Sequence, residues 1–339
     1  MLMMKTKSNC NHKPETSSST LASKNVLSAL AALAALPMTT ATANADEAAV
    51  AAPPPPPSRV NALVNFEFSD KYMTPRGMIV TDIGLTFQTL ALGLVNVYKD
   101  DKFINDVTLV GGIWNDFSSY EISKNQPAGS QPTTSWVEID PIAGVSIGFA
   151  KHWKLDVTYT AFNMQILGIG TSQHLDTKLS LDDTPWLKAF ALHPYFEYWA
   201  ELVGKATAAD VPYIVDPLGK NAGPGPGSSY YFEVGVDPGY SFEKSGLKIE
   251  LPCRVLLPNK NFYGEYYASS STVGLYEVGI KASIPLKFVP QGYGHWGFHA
   301  GVRYQGFVDQ NLQDMQQFNA PGKSVDGMVQ FFGGISAFF

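Results

Sequence analysis

The chain has 339 residues, 45% hydrophobic and 12% aromatic; beyond residue 45 it keeps 20 of its 24 basic and 29 of its 30 acidic residues, a formal charge of −9. That sign argues against nucleic-acid partners, and the two cysteines, Cys10 and Cys253, offer neither a disulfide framework nor a zinc cluster. A mean hydropathy of −0.04 does not exclude a membrane protein, because barrel strands alternate lipid-facing and lumen-facing side chains and average out.

Residues 1–45 have the three parts of a secretory signal. Lys5, Lys7, Lys13 and Lys24 form a basic leader, residues 26–37 are an apolar run too short to span a bilayer, and Ala43-Asn44-Ala45 predicts cleavage before Asp46. Residues 46–59 read as a linker on the periplasmic side, since five consecutive prolines at 53–57 favour an extended polyproline II rod. No later stretch has eighteen uninterrupted apolar residues, so any membrane insertion must come from strands closed into a barrel.

From residue 60 onward the dominant period is two. Twelve strands are expected, near 60–68, 84–98, 105–117, 135–149, 152–163, 173–182, 189–202, 229–241, 246–257, 272–288, 294–308 and 327–339. In the fourth, Val137, Ile139, Ala143, Val145, Ile147 and Phe149 share one face, opposed by Trp136, Glu138, Asp140, Gly144, Ser146 and Gly148. A soluble sandwich could show the same alternation. Strands this long, glycines on the polar face and alternating short and long joins favour a membrane barrel instead. The last strand alternates through Phe331 and Ile335 to a terminal Phe339, resembling the C-terminal signal read by the barrel-assembly machinery. The expected fold is all-β: a closed antiparallel transmembrane β-barrel of about twelve strands, with short periplasmic turns and longer extracellular loops. Its place would be the outer membrane of a Gram-negative bacterium, in contact with outer-membrane lipid. Its oligomeric state is left open.

Three segments carry a family resemblance: Ser69-Asp70-Lys71-Tyr72-Met73-Thr74-Pro75-Arg76-Gly77, Gly112-Ile113-Trp114 and Trp136-Val137-Glu138-Ile139-Asp140. In this order they resemble the TorF family of proteobacterial porins, over about residues 66–160, with one residue more than the family pattern between Tyr72 and Arg76. The resemblance implies a barrel of porin type and brings no substrate.

Pairing the apolar face with lipid assigns the other face to the lumen. The pore-lining candidates are Glu138, Asp140, Asp156, Glu197, Glu201, Glu233, Asp237, Glu277, Lys281 and Arg303. Mixed charge needs water or partners, and the acidic excess suits passive passage of small polar solutes or ions with a mild cation preference. Two other readings stay open: a barrel plugged by its own ion pairs with a structural or adhesive surface role, and an outer-membrane lipid hydrolase. The hydrolase needs a positioned histidine; His152, His174, His193, His295 and His299 are available, with His193 and His299 read as luminal, but no serine stands beside one as an obvious partner. No catalytic residue, metal ligand or cofactor is therefore expected. The 203–228 loop, with apolar residues 211–215, could fold inward or pack over its neighbours. Trp114, Trp136, Trp153, Trp199, Tyr240, Tyr276 and Trp296, near strand ends, are expected to form interfacial girdles.

Overall fold

A computed structural model describes residues 59–82, 84–119, 135–165, 171–203, 229–263, 271–316 and 325–339. The expected signal segment, nearly all of the linker, and residues 204–228 lie outside them.

The period of two produces strands β1 (Val60–Ser69), β2 (Tyr72–Met73), β3 (Ile79–Thr81), β4 (Thr86–Lys99), β5 (Ile104–Ser118), β6 (Trp136–Phe149), β7 (Trp153–Met164) and β8 (Ser172–Leu181). There follow β9 (Tyr195–Val203), β10 (Tyr230–Val236), β11 (Gly239–Ser241), β12 (Lys248–Glu250), β13 (Cys253–Pro258), β14 (Leu275–Pro285), β15 (His295–Phe307) and β16 (Gly327–Phe338). Two short helices, α1 (Thr184–Leu187) and α2 (Gln310–Met315), lie in the connections. Fourteen strands form one antiparallel sheet, which β2 and β3 do not join, and β14–β15 pairing closes it on itself. Pro238 and Pro252 interrupt two staves at one height, splitting them into β10 with β11 and β12 with β13. Counting each split stave once, fourteen strands make a closed twelve-stranded barrel. Closure runs through the last strand: β16 pairs with β15 on one side and β1 on the other, and Ala62 and Phe339 exchange backbone hydrogen bonds of 2.9 and 3.1 Å. Among the described residues no helix is long and apolar enough to cross a membrane.

The outward face is apolar. Phe66, Leu109, Phe196, Val234, Val255, Phe298, Phe331 and Ile335 are all exposed on the barrel wall, as lipid contact requires and water does not. At the loop end, Phe68, Phe87, Phe117 and Trp136 stack across four neighbouring staves, with centroids 4.7, 6.2 and 6.1 Å apart. At the turn end Trp296 meets Phe339 edge-on at 6.0 Å. These are girdle positions.

Four features differ from the sequence expectation. The seventh stave begins at Tyr195, not near 189, because Pro185 starts a helical turn and 184–190 coils before the strand. A bulge in the β5–β6 ladder opposes Phe117 to Trp136 and Asp116 to Glu138. It turns Trp136 outward and leaves Val137 fully buried against Tyr72 and Val80, reversing the faces expected for these two residues. Trp114 and Trp199 face the lumen and belong to no girdle. Finally, 69–83 is no outer loop: β2 and β3 form a hairpin buried inside the barrel.

Ile335, opposite Phe66 and Phe298, tests the outward face. Ile335→Lys is expected to lower unfolding free energy by about 2–4 kcal/mol. Ser146→Lys, inward and opposite Asp156, should cost under about 1 kcal/mol. Equal costs in urea titrations of the reconstituted protein would refute the face assignment.

Candidate functional site in the barrel lumen

The inward hairpin is built from local turn chemistry. Thr74-Pro75-Arg76-Gly77 has proline where φ must be near −65° and glycine where it is positive, Gly77 standing at +88°. The Gly77 N–H donates to the Thr74 carbonyl at 3.0 Å, and the Met78 N–H to the Thr74 hydroxyl at 3.0 Å. Apolar Met73 and Ile79 then enter a core with Trp199, Tyr231, Leu256, Phe262, Leu275, Phe307 and Leu312 at the loop end of the lumen.

Polar side chains from separate elements clasp the hairpin backbone. Arg254 of β13 donates to the Pro75 carbonyl at 2.8 Å, Tyr263 to the Arg76 carbonyl at 2.7 Å, and Gln305 of β15 to the Thr74 carbonyl at 3.3 Å. Gln316, capping α2, donates to the Gly77 carbonyl at 2.7 Å and accepts from the Ile79 N–H at 3.1 Å. Gln330 of β16 donates to the Lys71 carbonyl, and the Tyr72 hydroxyl donates to Glu138 of β6. Burial holds the Tyr263 phenol well above its ordinary pKa, so it remains a neutral donor. Arg76 itself is only 7% exposed and lies over the rings of Phe162 and Trp199, 4.6 and 4.9 Å from their centroids. His174 completes this aromatic wall, 4.3 Å from Phe162 and 4.4 Å from Trp199.

The three segments that carry the family resemblance meet here. Tyr72 touches Trp114 ring to ring at 5.6 Å and bonds to Glu138, while Asp140 and Trp114 line a cavity under the hairpin. That cavity has a volume of about 350 Å³ and is roofed by Tyr72, Met73, Pro75 and Arg76. Its walls come from β1, β4, β5, β6, β7 and β15.

Most other candidates fall into an ion-paired network. Arg254 bridges Glu233 at 2.5 Å and Glu277 at 2.8 Å, and Glu277 also accepts from Gln305 at 2.7 Å. Tyr195 donates to Glu233 at 2.8 Å. Lys154 pairs with Asp156 at 2.9 Å, Lys178 approaches Glu197 at 4.0 Å, and Lys281 approaches Glu250 at 3.8 Å. Arg303 bonds to Gln330 and lies 5.5 Å from the centre of the Phe332 ring. Glu201 stands opposite His174 on the inward face of β9. Asp237 sits at the β10–β11 break, its N–H bonded to the Leu192 carbonyl, away from the hairpin. Phe331 is 59% exposed and Ile335 39%, both toward the outside.

The sequence reading missed Arg76, Asp116 and a serine–histidine pair. Asp116 is fully buried opposite Glu138 on one side and Gln88 on the other. Ser172 Oγ lies 2.8 Å from His174 Nε2, two residues apart on one strand face. His174 Nδ1 is buried without a partner, so no third group orients the ring as a nucleophilic triad requires. His193, expected in the lumen, sits instead in the turn before β9, with Nδ1 3.7 Å from Asp183. His299 is luminal, 3.1 Å from Glu67. Among the described residues no group of His, Cys, Asp and Glu is arranged to hold a metal ion.

No family model and no curated protein matches the sequence, so the TorF resemblance gains nothing from those comparisons. Among solved structures, the chain is similar to the β domain of the Bordetella autotransporter BrkA, at 8% identity over 83% of this chain and 100% of that one, TM-score 0.36. It is similar to the translocator domain of NalP from Neisseria meningitidis at 10% identity over 83% and 88%, TM-score 0.35. Salmonella typhi OmpF matches at 9% identity over 83% and 97%, TM-score 0.31.

Gly77→Ala tests the hairpin's seat. The left-handed backbone is unfavourable for alanine by about 1–2 kcal/mol, and the new Cβ would stand 2.7 Å from Leu275 and 3.0 Å from Leu312. Amide exchange across 72–81 should accelerate in the variant while the β4–β5 ladder is unchanged; unaltered protection would mean the hairpin is not seated as described.

Proposed function

We propose that this chain is a Gram-negative outer-membrane protein whose lumen passes small polar solutes or ions, with hairpin 69–81 as the gate. The observation that carries the reading is the contrast between the barrel's two halves. Toward the turn end the lumen is lined by charged pairs such as Lys154–Asp156 and Lys281–Glu250; Asn96, Thr108, Ser146 and Lys178 are half-buried, while Lys248, Glu250 and His299 are buried. Toward the loop end the hairpin fills it, held by side-chain hydrogen bonds and not by joining the sheet. A hydrogen bond of this kind contributes about 0.5–1.5 kcal/mol because water replaces it when broken. The seat is therefore releasable in a way that a ladder strand is not.

The acidic excess of the inward face supports a modest cation preference, since Glu67, Glu138, Asp140, Glu197, Glu201 and Glu233 outnumber nearby cations. Phe331, Ile335 and the terminal Phe339 are outward and at the closing seam, which supports recognition of this strand by the assembly machinery. The TorF resemblance agrees with a porin-type reading because its three segments build the gate region. The second reading is a permanently plugged barrel with a surface role. The apolar core around Met73 and Ile79 favours it, since withdrawing the hairpin wets that surface.

Planar-bilayer recording separates the two. Wild-type protein should give small or infrequent steps, and replacing residues 72–81 by a short glycine–serine link should give frequent steps of severalfold larger conductance. If the replaced protein, shown folded by heat-dependent gel mobility, gives no steps, the passage reading fails and the plugged barrel stands.

A further inference from the structure

Arg76 is in an unusual position for a buried cation. Guanidinium carries five N–H donors, yet Arg76 makes no side-chain hydrogen bond to any described residue. Its Nε is buried without a partner, and it lies over the ring faces of Phe162 and Trp199, with Glu138 and Asp140 near enough to feel its charge but not hydrogen-bonded to it. A buried donor without an acceptor is costly, and native structures seldom leave one empty without a ligand or water to meet it. Arg76 lines the 350 Å³ cavity beneath the hairpin, and so does a second guanidinium, Arg303, whose bond to Gln330 uses only Nε. The cavity volume falls in the range of small-molecule pockets.

We propose that this cavity is a binding site for a small organic monocarboxylate, its oxygens held by Arg76 and Arg303. The guanidinium fork matches a carboxylate in two parallel hydrogen bonds. The remaining walls fix the rest of the ligand's character. Tyr72, Trp114 and Phe162 line it together with Leu90 and Ile142, so the body attached to the carboxylate is apolar or aromatic. Glu67 and Asp140 also line the cavity. Glu67 is already met by His299 at 3.1 Å, and Asp140 Oδ1 accepts the Asn163 N–H at 3.1 Å. Those two acids formally balance the two guanidinium groups, so the site offers N–H donors without excess positive charge and disfavours a dianion such as phosphate more than a monoanion. The site depends on the hairpin being seated and not on the lumen conducting, so its failure would leave the conductance experiment untouched.

Calorimetric titration of the purified protein in detergent micelles tests the site with benzoate and acetate, against benzamide, benzylamine and inorganic phosphate. Benzoate is expected to bind at one site, with acetate weaker for want of the ring contact and the other three at least about tenfold weaker than benzoate, the loss of one charge-assisted hydrogen bond. Arg303→Gln, which removes no direct bond to the hairpin although it frees Gln330, should weaken benzoate by roughly ten- to a hundredfold. Arg76→Lys keeps a cation over Phe162 and Trp199 but loses the fork, and should weaken it comparably. Three results overturn the proposal: neither carboxylate binds, an uncharged or cationic analogue or phosphate matches benzoate, or both arginine variants, shown folded by heat-dependent gel mobility, bind benzoate as the wild type does.

Discussion

Inside hydrocarbon every backbone N–H and C=O must find a partner within the protein, and a sheet can meet that demand only by having no edge. The ladder between β16 and β1, ending in the mutual hydrogen bonds of Ala62 and Phe339, is where this chain meets it. Closure then fixes the side chains. With the period locked at two and no free edge along which to slip, a one-residue shift at any seam would turn Phe66, Phe298 and Ile335 into the lumen together. The charged network inside and the apolar band outside are thus two consequences of one register.

Prolines should be the weak points of such a ladder; Pro141 is carried within β6, and two others stand at stave breaks. Pro238 and Pro252 stand where the β10–β11 and β12–β13 staves break, and each still offers its carbonyl: Leu251 donates to Pro238 at 3.3 Å and Gly279 to Pro252 at 2.9 Å. Gly279 is small for a reason, because a Cβ there would stand 3.2 Å from the Pro252 ring. The break lets Glu233 and Arg254 stay in the central network while Lys248 and Glu250 form a separate group nearer the turns.

Staves were legible in the sequence because alternation is enforced by two solvents at once, and their limits fall close to the expected ones wherever the strand is regular. The departures occur where a local preference overrides the period. Pro185 starts a helical turn ahead of β9, and the bulge at Val137 inserts one residue and exchanges the faces of two. The inward hairpin was written in its own short code, apolar Tyr72-Met73 and Met78-Ile79-Val80 flanking Thr74-Pro75-Arg76-Gly77, but that code does not say whether a hairpin points into solvent or into the lumen. The luminal acids were legible as residue types. Their partners were not, because Arg254 meets Glu233 and Glu277 across different staves and Tyr72 meets Glu138 over 66 residues of chain.

The seat of the hairpin decides how any gate here must work. Its clasps are individually weak, but Met73, Ile79 and Val80 are buried as well, at about 1.5–3 kcal/mol for each fully buried side chain. The seated state is therefore strongly favoured at rest, and a ligand can shift that balance only through a difference in affinity for the two states. A carboxylate held by Arg76 needs the hairpin in place, because Arg76 is carried on it and the roof of the cavity is made by it. By linkage such a ligand stabilises the seated hairpin. A gate of the proposed kind would need something that prefers the hairpin withdrawn, acting on its clasps where Tyr263, Gln316 and Gln330 hold its backbone.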